Sequence, residues 1–379
     1  MSKGTLWTRN FLLITLVNFF LFFAFQMFPT ALPPYLKNLG ASDALLGWLQ
    51  GILTIAVLLV RPFSGLALDR YGRKGIFLAG MLGMIVVTAA YHFIQVVAII
   101  LVIRFAHGLV WGISNTACST VATDNIEKSR FAEGMGYFSL ANGIGMAVAP
   151  AVALSIGMTN SVWLAVIFLV LACLFALPLQ YQKAPAAAAK EKGKMSLYAK
   201  ESIMPSVTVF FFMLTWGAVI TFLALYGQER SITNVGLFFT VYAGSQLIAR
   251  PIIGRLVDQK GFGAGIWPGV ILSPIGLLLL SVSSSIPLLL LCAVLYGVGI
   301  GAAHASLQTM AIVKVSKERT GAANATFFTG FDAGIGLGAV IAGQLSPILG
   351  YSGMFACMAA CPVIAGALYF ISTKDTRGK

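Results

Sequence analysis

The sequence predicts an all-α polytopic membrane protein whose twelve transmembrane helices form two pseudo-symmetric six-helix bundles. Three observations carry this. Of 379 residues, 58% are hydrophobic and only 10% charged, far below the charge of a soluble domain of that length. The cations fall on alternate sides of successive apolar runs. The second half of the chain also repeats glycines and charges of the first at a constant offset.

The runs, in order, are 11–36, 44–68, 75–94, 96–122, 131–157 and 161–180, then 205–226, 234–257, 264–284, 287–313, 321–349 and 351–372. Each approaches or exceeds the roughly 20 residues that a helix needs to cross a bilayer. The first is too long for a removable signal peptide and has no cleavage site. Residues 1–180 make the first bundle and 205–379 the second. Between them, 181–204 holds four consecutive alanines, then Lys190, Glu191, Lys192 and Lys194, and reads as a cytoplasmic tether lying along the membrane surface. Cys118, Cys173, Cys292, Cys357 and Cys361 all fall in apolar runs without a C-x-x-C spacing. They read as small buried apolar side chains, not as a disulfide framework or a metal site.

A net charge of +13 raises the question of nucleic acid, and the distribution of that charge answers it. Of 25 Lys and Arg residues, 20 lie at the chain ends or at or beside even-numbered gaps between runs (Arg255 is two residues inside its run); Lys37 and Arg230 fall in odd-numbered gaps. Short basic loops stay cytoplasmic. Both termini are therefore expected in the cytoplasm, which requires an even number of crossings. The basic balance sets topology, with a secondary attraction to anionic headgroups of the bilayer, and no nucleic-acid partner is implied.

The repeat is specific. Arg61, Pro62, Gly65 and Asp69 return 189 residues later as Arg250, Pro251, Gly254 and Asp258, and Gly47, Gly108, Gly112 and Arg130 return as Gly236, Gly297, Gly301 and Arg319. Gly143-Ile144-Gly145 returns at 191 as Gly334-Ile335-Gly336, which implies a two-residue insertion.

The motifs name a family. Gly65-Leu66-Ala67-Leu68-Asp69-Arg70-Tyr71-Gly72-Arg73-Lys74 resembles the signature G-x-L-x-D-R-x-G-R-K that follows the second span of major facilitator superfamily transporters. Arg104-Phe105-Ala106-His107-Gly108 resembles the family's R-x-x-Q-G, with His107 for the amide. Gly145, Ala149 and Pro150 resemble its antiporter motif, with alanines for later glycines. The resemblance covers essentially the whole chain. It implies the major facilitator fold, with a site between halves near the midplane, and a bacterial inner-membrane, multi-pass protein acting as a monomer. The nearest subgroup is the proton-coupled drug and sugar efflux permeases. The implied function is secondary active antiport of a small organic solute by alternating access. It needs no cofactor beyond a proton gradient. An importer or facilitator of an organic anion or sugar is the alternative within transport.

Within the opening motif, Gly65 is expected to admit a close helix, and Asp69 to meet free N–H groups at the start of the eleventh span. Arg70, Gly72, Arg73 and Lys74 complete the turn, and Asp124 is the natural partner for Arg73. These seven residues read as a cytoplasmic latch; a topology determinant alone is the rival reading.

Charges at bilayer depth cost at least about 2.5–3.5 kcal/mol each, so few are carried without a reason. Arg61, Arg104, His107, His304 and Asp332 are the coupling candidates. Asp332 either titrates during transport or forms a structural pair with Arg61; the two histidines either relay protons or pack as neutral rings. Arg104, His107, Trp111 and Asn115 share one helical face, and His304 and Gln308 another. With Asn18, Gln26, Trp216 and Tyr226 they form the expected cavity wall. Three arginines against one carboxylate favour an anionic, zwitterionic or neutral solute. The sequence has no H-E-x-x-H, G-x-S-x-G or Walker A run, so no catalytic or metal-binding residue is named. A polytopic enzyme and a receptor without flux remain the rivals of another class.

Overall fold

The computed structural model describes residues 6–126, 130–181, 199–313, 315 and 320–377. The tether expected over 181–204 therefore lies mostly outside the described residues. No strand occurs among them. In chain order the α-helices are α1 (Arg9–Asn38), α2 (Asp43–Tyr71), α3 (Arg73–Phe93), α4 (Val97–Asn125), α5 (Phe131–Ala176), α6 (Ile203–Glu229), α7 (Leu237–Lys260), α8 (Gly263–Ser281), α9 (Ile286–Val313), α10 (Thr320–Met358) and α11 (Ala360–Arg377).

Two of these are folded rods. Gly157 breaks α5 (φ 78, ψ 171), and Gly350 breaks α10 (φ 68, ψ 170). Among the described residues, nine helical segments are long and apolar enough to cross a membrane. The segments broken at Gly157 and Gly350 each contribute two crossings. The polar-ended α7 supplies the twelfth.

The turns show why glycine recurs. Gly72, between α2 and α3, has φ 86 and ψ 161; Gly261, between α7 and α8, has φ 81 and ψ 174. This region of backbone space is essentially closed to residues with a Cβ. Gly72 and Gly261 are 189 apart, and Gly157 and Gly350 play matching parts in the two copies. The repeat is thus a repeat of backbone geometry as well as of sequence. At Gly261 the turn survives although the cations of the first copy have been replaced.

The chain divides into two compact units. Unit 1 comprises residues 1–35 and 55–193; unit 2 comprises 36–54 and 194–379. In unit 1, α3 packs on α4 and α5. A methyl added at Gly112 of α4 would lie 2.4 Å from a Val60 methyl and 3.6 Å from the Val57 backbone of α2. In unit 2, α10 packs on α6, and α9 on α7 and α8. Gly301 of α9 meets Gln246 of α7 in the same way. Gly301 and Gln246 are the 189-residue counterparts of Gly112 and Val57, so the packing repeats residue for residue. A close backbone seam joins α10 to α6: an added methyl at Gly338 would lie 2.0 Å from the Leu214 carbonyl oxygen, and one at Gly217 2.0 Å from that of Ile335. Small residues let membrane helices approach to this distance.

Large apolar side chains cover the outside, including Leu59, Phe63, Leu66, Val86, Ile248 and Ile348. So wide an exposed apolar surface is stable only against lipid. One expectation is corrected on this ground: Cys118 and Cys292 are buried, but Cys357 is exposed and Cys173 and Cys361 are half-buried, because an apolar residue can face hydrocarbon instead of a core.

Candidate functional site

The α2–α3 turn brings its expected pair together within unit 1. Arg73 Nε donates to Asp124 Oδ2 at 3.1 Å, and Nη1 donates to the Leu68 carbonyl at 3.1 Å. The guanidinium thus satisfies a carbonyl left over at the end of α2. Arg73 starts α3 and Asp124 ends α4, each at the helix end that disfavours its charge. Pairing offsets both penalties, and both side chains are largely sequestered, at 10% and 18% exposure. Arg70 and Lys74 are exposed, and the Arg70 guanidinium lies 5.4 Å from the centre of the Tyr71 ring. The side chain of Asp69 lies outside the described residues. Gly65 departs from expectation: an added methyl there would meet nothing described within 4 Å. No described helix crowds it in this conformation.

On α4 of unit 1, Arg104 is 1% exposed and His107 fully buried. The Tyr91 hydroxyl of α3 lies 3.2 Å from His107 Nδ1, and Arg104 Nη1 lies 3.5 Å from the same nitrogen. Arg104 also hydrogen-bonds Tyr91. A guanidinium has only donors, so Nδ1 accepts and the neutral ring carries its hydrogen on Nε2. That nitrogen is buried and has no hydrogen-bond partner among the described residues. The nearly perpendicular rings of Phe25 and Phe28 flank the imidazole, with centroids at 5.6 and 5.4 Å. Trp111, one turn further, stacks on Phe25 at 3.7 Å and 9°. Gln26 is buried on α1, and Asn115 is half-buried. Asn18 is used in helix packing: its amide donates to the Phe138 carbonyl at 2.9 Å, and its oxygen faces Cys118 Sγ at 3.9 Å. Gly145, Ala149 and Pro150 are all buried on α5, and Gly145 faces the Phe23 backbone of α1. Arg61 is half-buried on α2.

In unit 2, His304 stacks on Phe327 of α10 with centroids 5.7 Å apart and meets the tilted ring of Phe331 at 5.0 Å. Its Nε2 is likewise buried without a described partner. Asp332 follows Phe331 on α10 and is half-buried, as is Gln308 on α9. Trp216 stacks on Tyr242 at 4.4 Å and 12°. The Tyr296 hydroxyl, beside that stack, shares a 2.6 Å hydrogen bond with Thr215. Tyr226 is structural in its contacts: its hydroxyl donates to the Ser283 carbonyl at 2.7 Å.

Two features escaped the sequence. One is Tyr91, which completes the chain to His107; it lies at the far end of the third apolar run and carries no motif. The other is the asymmetry of the two halves. At the 189-residue offset His107 corresponds to Tyr296, and His304 corresponds to Asn115. The two histidines lie on equivalent helices but not at equivalent positions.

The family model described as Major Facilitator Superfamily matches residues 14–230 and 205–379. An uncharacterized MFS-type transporter of Methanocaldococcus jannaschii is 24% identical over 353 residues, covering 89% of this chain and 91% of that protein. A multidrug resistance protein, MdtG, of Yersinia enterocolitica is 27% identical over 393 residues, covering 96% and 92%. A staphylopine export protein of Staphylococcus aureus is 20% identical over 389 residues, covering 97% of each. Among solved structures, a bacterial homologue of the lysosomal transporter Spinster, inward-facing and occupied, matches with a TM-score of 0.81 at 15% identity, covering 98% of each chain. The nucleoside transporter NupG (a D323A mutant) matches with a TM-score of 0.79 at 14% identity, covering 95% of this chain and 99% of that one. With the helix order, the glycine turns and the Arg73–Asp124 pair, these likenesses establish that the chain belongs to the major facilitator superfamily of membrane transporters.

Proposed function

We propose that this transporter exports a small organic solute from the cytoplasm in exchange for protons. It works by alternating access between its 1–180 and 205–379 halves, as a monomer with both termini in the cytoplasm. The observation that carries the proton-coupled reading is the Arg104–Tyr91–His107 chain. It keeps a fixed cation and a titratable ring in contact inside an apolar helix core, where an ion without a task is costly. Outward direction draws on the relatives named as a multidrug resistance protein and a staphylopine export protein. The excess of arginine over carboxylate within the spans favours an anionic, zwitterionic or neutral solute. Asp332 is the candidate proton-carrying carboxylate and Arg61 a further coupling candidate; Trp111 and Asn115 in unit 1, and His304 and Gln308 in unit 2, are the solute-contact candidates.

Proteoliposomes with an imposed pH gradient test this, using a panel of organic anions, sugars and amphipathic dyes. Solute should move against the proton flow, and the movement should stop when the gradient is dissipated. Asp332→Asn should lose gradient-driven flux and keep solute counterflow. Unchanged pH dependence in that variant removes Asp332 from the mechanism. Movement of solute with the protons identifies an importer instead.

A further inference from the structure

Asp43, the first residue of α2, belongs to none of the sequence motifs. In unit 2 it is 9% exposed and surrounded by donors. Lys37 Nζ pairs with its Oδ1. The Tyr351 hydroxyl donates to Oδ1 at 3.2 Å, and the Ser346 hydroxyl to Oδ2 at 3.2 Å. Asp43, Gly47 and Gly51 follow each other at four-residue spacing, so they share one face. That face lies against α10. An added methyl at Gly47 would lie 2.4 Å from the Ala339 carbonyl oxygen, and one at Gly51 2.6 Å from a Val340 methyl. One at Gly343 would lie 2.6 Å from the Asp43 carbonyl oxygen, and one at Gly336 2.6 Å from Thr54. Glycines on both helices keep the seam close, with the Val340 and Thr54 side chains between them and a hydrogen-bonded carboxylate at its end. The contacts belong to residues 36–54, the stretch of the first half that clusters with unit 2.

The internal repeat supplies the second argument. At 189, Asp43 corresponds to Ile232 and Lys37 to Tyr226. At the offset of 193 that relates Gly157 to Gly350, Ser346 corresponds to Ala153 and Tyr351 to Met158. The second copy of the architecture uses none of the four polar groups, so the fold does not require them. A glycine seam interlocks few side chains, and a carboxylate held by an ammonium and two hydroxyl groups can exchange them for water.

We propose that the Asp43–Gly47–Gly51 face of α2 and the Gly336–Gly343–Ser346–Tyr351 face of α10 form a reversible outer gate, latched shut by Asp43. This rests on the transport reading and assigns the gating residues at the end of α2 remote from the Arg73 turn. In the closed gate Asp43 accepts from Lys37, Ser346 and Tyr351. In the open gate residues 36–54 leave α10 and the carboxylate is hydrated.

Spin labels at Leu39→Cys and Leu349→Cys, with the five native cysteines replaced by alanine, report the gate in nanodiscs without need of a solute. A dominant short distance and a minor long one are expected. Asp43→Asn should raise the long population at least threefold, and Tyr351→Phe and Ser346→Ala should raise it less while keeping the carboxylate. A distance distribution unchanged in all three variants overturns the proposal. A disulfide between Asp43→Cys and Ser346→Cys should abolish flux reversibly. Undiminished flux through the cross-linked protein overturns the gate and leaves the transport reading intact. Label separation in a protein that carries no solute sustains the gate and sinks transport.

Discussion

Arg104 shows what a single residue can oblige its neighbours to do. A buried guanidinium must find acceptors, and here a phenol and an imidazole nitrogen serve. His107→Gln keeps an acceptor at that point and should fold normally. His107→Phe leaves Arg104 donors facing apolar rings and should cost about 1–3 kcal/mol, seen as a lower unfolding midpoint of the purified protein in detergent. Equal midpoints for the two variants would refute the acceptor role. The same reasoning applies at Arg73, where Asp124→Ala removes the carboxylate that accepts from Nε and should destabilise by about 1–3 kcal/mol; Asp124→Asn should cost less. Sequence pattern revealed Arg73, Asp124, Arg104 and His107 because each belongs to a motif or stands out as polar within an apolar run. Tyr91 and Asp43 were not legible for physical reasons. A tyrosine blends into an aromatic-rich helix end. Asp43 precedes its apolar run by one residue and reads as an ordinary helix start.

Helix ends and crossings were read with less accuracy than helix existence. Hydropathy separates the runs 131–157 and 161–180 but does not show how short the break between them is. In the structure Gly157 alone makes the break, and helix resumes at once. Glycines here fall into two classes with separable consequences. Gly72, Gly157, Gly261 and Gly350 have positive φ and open space around them. Substitution by alanine should cost about 1–3 kcal/mol of backbone strain at each. Gly217 and Gly338 are helical but crowded by carbonyl oxygens, so alanine there should force α6 and α10 apart. Gly65 belongs to neither class in this conformation, and Gly65→Ala should leave the detergent melting temperature within measurement error. Loss of flux without loss of stability in that variant would locate its close contact in another state of the cycle.

At the scale of the molecule, composition, charge alternation and the 189-residue echo were enough to expect twelve crossings and duplicated halves. Duplication does not prescribe equal use. The first copy keeps the cationic turn at Gly72 and the Arg104–His107 pair, and the second keeps the turn at Gly261 while placing its histidine at another register. Residues 36–54 cluster with the second unit although they precede the tether, an arrangement that no periodicity could reveal. Cleavage at a protease site inserted within 182–198 should therefore leave two fragments that co-elute in detergent. Fragments that separate would contradict the placement of 36–54.

α2 is one unbroken helix from Asp43 to Tyr71, yet its opening residues are seated in one body and the remainder in the other, with the border between Thr54 and Ile55. It behaves as a lever anchored at both ends. A rod seated in two places bends where its hydrogen bonding is weakest. Pro62, which cannot donate the usual helical hydrogen bond, is the natural yield point, and its neighbour Arg61 would be the first charge to feel the bend.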